Sequence, residues 1–231
     1  MTLVKICGLT RPDDARAAVL AGADYLGLNF WPKSRRFLAD DGVGEVVEAA
    51  RQAARGRDRP VVLAGVFVNQ DLAHMVDLAA RVGLDCIQLH GDETPGVCTQ
   101  LEERLRRDCP GSGVRVIKAL AMTGPADVTR LSSYPCDTFL IDTPTSGYGG
   151  SGQTFDWHLA REAVLEAGQL GRQVFLAGGL HPGNVADAIV EVRPYGVDVA
   201  SGVETAPGIK DHDSIQRFIE QARAANEKRP G

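Results

Sequence analysis

Short apolar runs rich in β-branched residues alternate with segments of helical periodicity along almost the whole chain. In the segments between the runs, apolar residues recur three and four positions apart, which is typical of helices packed on one face. The apolar runs predict strands that open near Leu3, Asp24, Val61, Asp85, Arg115, Thr138, Gln173 and Gly196. The intervening segments predict helices over Asp13–Leu20, Val43–Ala54, Leu72–Val82, Glu93–Arg107, Pro125–Leu131, Trp157–Ala167, Pro182–Val192 and Ser214–Ala225.

This repeated strand and helix pattern predicts a single α/β domain, a (β/α)8 TIM barrel over residues 1–225 followed by a frayed tail over 226–231. A doubly wound open sheet is the alternative, and that fold usually carries a G-x-G-x-x-G turn after its first strand. Here the first strand is followed by Cys7-Gly8-Leu9-Thr10, and the glycine pairs come late in the chain. Thr10 is expected to cap the first helix.

Composition narrows the functional classes. The formal net charge is -5, and no run of Lys and Arg with interleaved aromatic residues occurs, which argues against a nucleic-acid partner. The N-terminus resembles no signal peptide, and no apolar run is long enough to span a bilayer, so we expect a cytoplasmic protein without a membrane partner. The five cysteines are odd in number and fit no zinc spacing, so we expect no metal site and reduced thiols.

Polar side chains gather where predicted strands end, which is where (β/α)8 barrels place their active sites. Cys7 ends the first strand, His90 the fourth, and Asp142 the sixth, while Asp198 lies in the eighth and Lys118 in the fifth. Each also has a structural interpretation: a small buried hydrophobic thiol, a satisfied core histidine, a turn-capping aspartate or a paired interior lysine. Several of them meeting at one rim would make an active site.

Asp142 is the strongest candidate for an acid or a base. It is followed by a loop over 143–152 rich in glycine, whose closure would desolvate the carboxyl group and raise its affinity for a proton. The alternative is a carboxylate that ties the loop down.

Two loops have the chemistry for opposite ends of an anionic ligand. Gly178-Gly179 and Ser201-Gly202 follow the seventh and eighth strands, where barrels bind phosphate through backbone N–H groups. The loop over Phe30–Phe37 combines aromatic residues with Arg35 and Arg36, which suits a ring that carries a carboxylate, or else forms a solvated charge run.

Taken together, several segments resemble phosphoribosylanthranilate isomerase, in order from Lys5 to Phe218. The matching segments are Lys5-Ile6-Cys7-Gly8, Pro32-Lys33-Ser34-Arg35-Arg36, Gly65-Val66-Phe67-Val68-Asn69, Gln88-Leu89-His90-Gly91, Leu140-Ile141-Asp142-Thr143, Gly149-Gly150-Ser151-Gly152, Gly178-Gly179-Leu180, and Val197-Asp198-Val199-Ala200-Ser201-Gly202-Val203-Glu204. The resemblance implies a (β/α)8 barrel of tryptophan biosynthesis. It would convert N-(5-phosphoribosyl)anthranilate to 1-(2-carboxyphenylamino)-1-deoxyribulose 5-phosphate by an Amadori rearrangement, without metal or organic cofactor.

The resemblance also implies roles for single residues. Cys7 would be the general base, Asp142 the general acid, and Arg36 the partner of the anthranilate carboxylate. His90 and Asp198 would lie near the substrate. The phosphate would be surrounded by Gly150, Gly152, Gly179, Ser201 and Gly202. The protein would act on a phosphorylated small molecule as a monomer or a homodimer.

A cysteine thiol is a poor base at neutral pH, because its ordinary pKa is about 8.5. Lys5 lies two residues before Cys7 and shares its strand face, so we hypothesise that its positive charge assists the thiol.

Three alternatives to a phosphoribosylanthranilate isomerase remain open. A bifunctional histidine and tryptophan phosphoribosyl isomerase would resemble the chain, although such enzymes carry aspartate where this chain has Cys7. A Schiff-base aldolase would use Lys118. A non-catalytic sensor of phosphate ligands would keep only the barrel and its glycine-rich loops.

Overall fold

The structure is a computed structural model that describes residues 1–142 and 157–227. Eight parallel strands close into a barrel in sequence order, with β1 paired to both β2 and β8. The strands are β1 (Leu3–Cys7), β2 (Tyr25–Asn29), β3 (Val62–Phe67), β4 (Cys86–Leu89), β5 (Arg115–Ala121), β6 (Thr138–Asp142), β7 (Gln173–Leu176) and β8 (Gly196–Val199). The predicted (β/α)8 barrel is therefore confirmed.

Helices surround the barrel in the predicted alternation. They are α1 (Pro12–Ala21), α2 (Val43–Ala53), α3 (Leu72–Val82), α4 (Pro95–Asp108), α5 (Pro125–Thr129), α6 (Trp157–Gln169), α7 (Val185–Val192) and α8 (His212–Glu227). Short 3₁₀ turns occupy Arg130–Ser133 and Ser201–Val203. None of the helices within the described residues has the length and hydrophobicity that a membrane crossing requires.

Helix ends follow local capping chemistry. Asp71 accepts hydrogen bonds from the backbone N–H groups of Ala73 and His74, and Gly83 closes the helix in the left-handed conformation, so α3 has the predicted bounds. The predicted Thr10 cap is wrong, because the Thr10 hydroxyl donates instead to the Gly208 carbonyl at 2.6 Å. Arg11 occupies the N-cap position of α1 without a side-chain cap.

Two helices begin later than predicted, and in both cases a side chain is used elsewhere. Thr94 caps α4, which leaves Glu93 outside the helix and buried. The segment before α7 forms a turn in which Asn184 accepts from His181 N–H and donates to the Gly179 carbonyl. Helix α7 therefore begins at Val185 rather than at Pro182.

Alternation along each strand sorts the side chains into two layers. Ala64, Ile117, Leu140 and Phe175 belong to a cluster that fills the barrel interior. The residues between them in sequence face outward and join the larger core beneath the helices. The inner layer is apolar in the lower part of the barrel and becomes polar toward the C-terminal mouth, where the site lies.

An antiparallel hairpin follows β8 and was not predicted. Its strands are β9 (Glu204–Ala206) and β10 (Ile209–Lys210). It lies between the barrel and α8, and the loop at Gly208 contacts Thr10. The hairpin therefore brings Glu204 and Lys210 to the mouth of the barrel beside β1.

Candidate active site

The inward face of the strands carries most of the predicted site residues to one mouth. In β1, Val4 and Ile6 belong to the outer core, so Lys5 and Cys7 face inward. The same alternation turns Asp198 of β8 and Asp142 of β6 into the barrel mouth. The sequence prediction that these groups share one rim agrees with this geometry.

Lys5 and Asp198 form a buried ion pair below the mouth. Their strands are neighbours in register, and Lys5 Nζ lies 2.7 Å from Asp198 Oδ1. Burial by itself lowers the pKa of Lys5, but the charges of Asp198 and Cys7 more than offset it, so the pKa is raised above its ordinary value. Lys5 is therefore a fixed positive charge two residues from Cys7.

The Cys7 thiol is buried, and burial raises its pKa above the ordinary value. Lys5 and Lys210 lower the pKa of this thiol, whereas Asp198 raises it, and the net shift is upward. Lys5 therefore acts on Cys7 in the direction that we hypothesised, but without overcoming desolvation. At neutral pH the neutral thiol is the dominant form.

Two glycines that the sequence analysis did not single out make room for the site. Gly27 of β2 is in register with Cys7, and a Cβ there would lie 2.5 Å from Cys7 Sγ. Gly8 has a φ of 76°, and a Cβ there would overlap Arg36 Cδ. The side chain of Arg36 therefore lies across the backbone next to Cys7.

The guanidinium group of Arg36 is paired with Glu204. Arg36 Nε lies 2.8 Å from Glu204 Oε1, and Arg36 Nη2 lies 2.7 Å from Glu204 Oε2. This hydrogen-bonded pair raises the pKa of Arg36. Sequence reasoning missed this partner, although Glu204 ends one of the matching segments.

At the opposite side of the mouth, His90 approaches Asp142. His90 Nε2 lies 3.6 Å from Asp142 Oδ2, and Gln88 Nε2 lies 2.8 Å from His90 Nδ1. An amide nitrogen can only donate, so Nδ1 accepts and a neutral imidazole carries its proton on Nε2, toward Asp142. With the Gln88 amide in this orientation, its Oε1 is one of the buried polar atoms that have no hydrogen-bond partner among the described residues. With the amide reversed, its NH2 group would take that place and leave two N–H donors without partners.

The loops after β7 and β8 are packed together. Gly178 and Gly179 have φ values of 87° and 63°, which suit glycine. A Cβ at Gly202 would overlap the Leu180 carbonyl. A small cavity between these loops is lined by Asp142, Ala177, Gly178, Gly179, Leu180, Asp198, Val199, Ala200 and Ser201. It joins Asp142, Asp198 and the predicted phosphate loops, while Gly150 and Gly152 lie outside the described residues.

Lys118 is not part of this mouth. It shares its strand face with Val116 and Leu120, which belong to the outer core. Its Nζ donates to the carbonyls of Leu89 and Gly91 and forms a 2.9 Å ion pair with buried Glu93. Lys118 thus holds the chain on both sides of His90, and its engaged ammonium group argues against a Schiff-base aldolase.

The described residues contain no group of three or more His, Cys, Asp or Glu side chains arranged to hold a metal ion.

These features define the chain as a (β/α)8-barrel protein with an enzyme-like site at its C-terminal mouth. The family model described as N-(5'phosphoribosyl)anthranilate (PRA) isomerase matches residues 4–221. The chain belongs to this family, as the resemblance in its motifs implied.

Several isomerases of this family are similar to the chain along nearly its full length. The N-(5'-phosphoribosyl)anthranilate isomerase of Myxococcus xanthus is 44% identical over 229 residues, covering 96% of this chain and 97% of its own. A crystal structure of the Thermotoga maritima isomerase has a TM-score of 0.78 and 40% identity, covering 97% of this chain and 100% of its own. Another isomerase structure, in complex with reduced 1-(o-carboxyphenylamino)-1-deoxyribulose 5-phosphate, has a TM-score of 0.76 and 38% identity, covering 97% of this chain and 100% of its own.

As a member of this family, the chain is an isomerase of tryptophan biosynthesis, and the reaction is an intramolecular aldose–ketose rearrangement. The relatives lend no support to the bifunctional isomerase or to the non-catalytic sensor.

Proposed function

We propose that this chain converts N-(5-phosphoribosyl)anthranilate to its ketose by using Cys7 as general base and Asp142 as general acid. The observation that carries the proposal is the position of these two groups. Cys7 is the last residue of β1 and Asp142 is the last residue of β6, and both face inward at the same mouth. In the closed barrel, β7 and β8 with their glycine-rich loops lie between these two strands. A sugar phosphate seated on those loops would have the acid on one side and the base on the other.

The substrate's two anionic ends have separate partners in this proposal. Gly179, Ser201 and Gly202 surround the phosphate, with Gly150 and Gly152 expected to complete its site. Arg36 meets the anthranilate carboxylate beside Cys7, since a guanidinium binds carboxylates with paired hydrogen bonds. The reacting carbons of the ribose then lie between the two ends.

The chemistry proceeds in balanced steps. Asp142, as the carboxylic acid, protonates the furanose ring oxygen. The bond from that oxygen to C1′ breaks, and the nitrogen lone pair forms an iminium. The Cys7 thiolate takes the proton from C2′, and the electron pair flows to the nitrogen to give an enolamine. Protonation at C1′ and loss of the C2′ hydroxyl proton yield the ketone.

The iminium resolves the difficulty of a base with a raised pKa. A positive charge formed within the mouth favours the thiolate, as Lys5 and Lys210 do in the free protein. The iminium therefore favours ionisation of the Cys7 thiol, which releases its proton to solvent and then acts as the base at C2′. The His90 Nε2, 3.6 Å from Asp142 Oδ2, stabilises the carboxylate left after proton transfer through the dipole of its N–H group, and Asp198 holds Lys5 in place.

Turnover provides the direct test. Purified protein should consume N-(5-phosphoribosyl)anthranilate with loss of the anthranilate fluorescence. Protein that binds the substrate without turnover would contradict the proposal and favour a sensor.

The assignment of Lys5 predicts a change in pH dependence. Because the thiolate is the form that reacts with alkylating agents and the Cys7 pKa is raised, the alkylation rate of Cys7 should increase with pH up to a value above the ordinary thiol pKa of about 8.5. Lys5→Met removes a charge that lowers the Cys7 pKa, so the rising limb should move to higher pH. The thiol can be followed through its alkylation rate, corrected with a Cys7→Ser sample.

The matched control is Arg59→Met, which removes an exposed positive charge just before β3, at the end of the barrel opposite the mouth. It should leave the pH profile in place. If Lys5→Met gives folded protein with an unshifted limb, Lys5 does not assist the thiol.

Three broader expectations remain proposals. Residues 1–225 form the single catalytic domain, and the protein acts in the cytoplasm. We propose a monomer or a homodimer. One solved relative from Thermotoga maritima is described as dimeric phosphoribosylanthranilate isomerase from which monomers were generated.

A further inference from the structure

The hairpin β9–β10 places two buried charges beside the mouth, Glu204 and Lys210, and the mechanism above gives Glu204 no role. The side chains of Glu204 and Lys210 are 4% and 0% exposed, respectively, and their charged atoms lie 2.8 Å apart. Burying charges is costly unless each is fully hydrogen-bonded. Their partners therefore indicate what the pair does.

Lys210 joins the base to the phosphate loop. Its Nζ donates to the Cys7 carbonyl at 2.6 Å, to the Ala200 carbonyl at 3.0 Å and to Glu204 Oε1 at 2.8 Å. These three bonds use all three ammonium hydrogens. Lys210 thus fixes Glu204 relative to the ends of β1 and β8.

Glu204 in turn fixes Arg36. Its two oxygens accept from Arg36 Nε and Nη2, and Oε1 also accepts from Gly208 N–H at 3.3 Å. Burial raises the pKa of Glu204, but Arg36 and Lys210 outweigh burial, so the net shift is downward and the group is a carboxylate. A planar guanidinium held at two points cannot rotate.

The fork to Glu204 uses Arg36 Nε and one hydrogen of Nη2. The remaining hydrogens, on Nη1 and Nη2, form a second fork along the other edge of the same plane, suited to a second carboxylate. The charges also favour binding of a second carboxylate, because the two cations Arg36 and Lys210 exceed the single negative charge of Glu204 and leave a net positive charge. A bare pair of Arg36 and Glu204 would be neutral and would attract an anion weakly.

We propose that Glu204, anchored by Lys210, is a positioning residue that aims Arg36 at the carboxylate of the substrate's aromatic amine. It thereby sets the preference for an ortho-carboxylated amine over an unsubstituted one. This inference rests on the proposed function, in which Arg36 meets that carboxylate.

Glu204→Gln is the sharpest test. The amide oxygen can keep the bonds to Arg36 Nε, Gly208 and Lys210, while the amide nitrogen opposes Arg36 Nη2 and breaks the fork. We expect the KM for N-(5-phosphoribosyl)anthranilate to rise roughly tenfold, which is the loss of one charge-assisted hydrogen bond. The kcat should fall less than that. The KM for N-(5-phosphoribosyl)aniline, which lacks the carboxylate, should change little.

Four further variants make the outcome decisive. Arg36→Ala should abolish the KM difference between the two substrates, and adding Glu204→Gln to it should change that difference no further. Arg36→Lys keeps the charge but cannot form the fork, so it should resemble Glu204→Gln and serves if that variant does not fold. Glu103→Gln, at an exposed residue of α4, is the matched control.

The possible failures are distinguishable. If Arg36→Ala leaves the preference for the carboxylated substrate intact, the carboxylate site of the proposed function is wrong. If Arg36→Ala abolishes that preference but Glu204→Gln or Arg36→Lys leaves it intact, or raises both KM values equally, Glu204 does not position Arg36.

Discussion

Replacing Cys7 with serine should lower kcat by about 10²- to 10⁴-fold, the usual contribution of a positioned general base. Serine fits the space that Gly27 leaves beside the sulfur, so the barrel should fold normally. A serine hydroxyl holds its proton far more tightly than a thiol, and removal of the C2′ proton should become the slowest step. Substrate deuterated at C2′ should then react more slowly than the protium form. Steady-state kinetics with both substrates measures the two effects.

Cys109→Ser provides the control for this variant. All five cysteines lie within the described residues as free thiols, and Cys109 follows α4, away from the mouth. Its replacement should leave kcat unchanged. A Cys7→Ser variant that turns over at the unmodified rate would remove Cys7 from the mechanism.

The parts of the fold that sequence predicts well are those set by local chemistry. All eight barrel strands begin within one residue of their predicted positions, because each buried strand is a short apolar run between turn residues. The same runs place Cys7 and Asp142 at strand ends. Their meeting at one mouth then follows from the closure of the barrel.

The orientation of Lys118 was also available from the alternation of strand faces, since Lys118 lies two residues from both Val116 and Leu120 and shares their face of β5. Reading that alternation would have placed it in the outer layer, away from the substrate. The ion pair of Lys118 with Glu93 could not be predicted in this way. The helical periodicity extends back past Thr94, so the sequence pattern assigns Glu93 to α4, whereas the helix begins only after Thr94.

The contacts that sequence reasoning could not predict join residues far apart in the chain. Arg36 and Glu204 are separated by 168 positions, and Cys7 and Lys210 by 203. No periodicity in either segment indicates these pairs. They depend on a two-strand hairpin that interrupts the last strand and helix unit, and on Gly8 allowing Arg36 to cross above β1.

Replacing Asp142 with asparagine should also lower kcat by about 10²- to 10⁴-fold, but for a different step. Asparagine keeps the size of the side chain and an oxygen toward His90 Nε2, yet it has no acidic proton for the furanose ring oxygen. Ring opening precedes proton removal from C2′, so it should become the slowest step. The kcat should then be nearly insensitive to deuterium at C2′.

The contrast between the two variants separates acid from base more sharply than either rate alone. Asp77→Asn, at an exposed residue of α3, controls for the change of charge and should leave kcat unchanged. If Asp142→Asn shows the deuterium effect and Cys7→Ser does not, the two groups have exchanged roles. If neither variant shows the deuterium effect, the slowest step in both variants is one that transfers neither proton. The effect should then appear in single-turnover reactions of Cys7→Ser. Its absence there would contradict the assignment of Cys7 as the base.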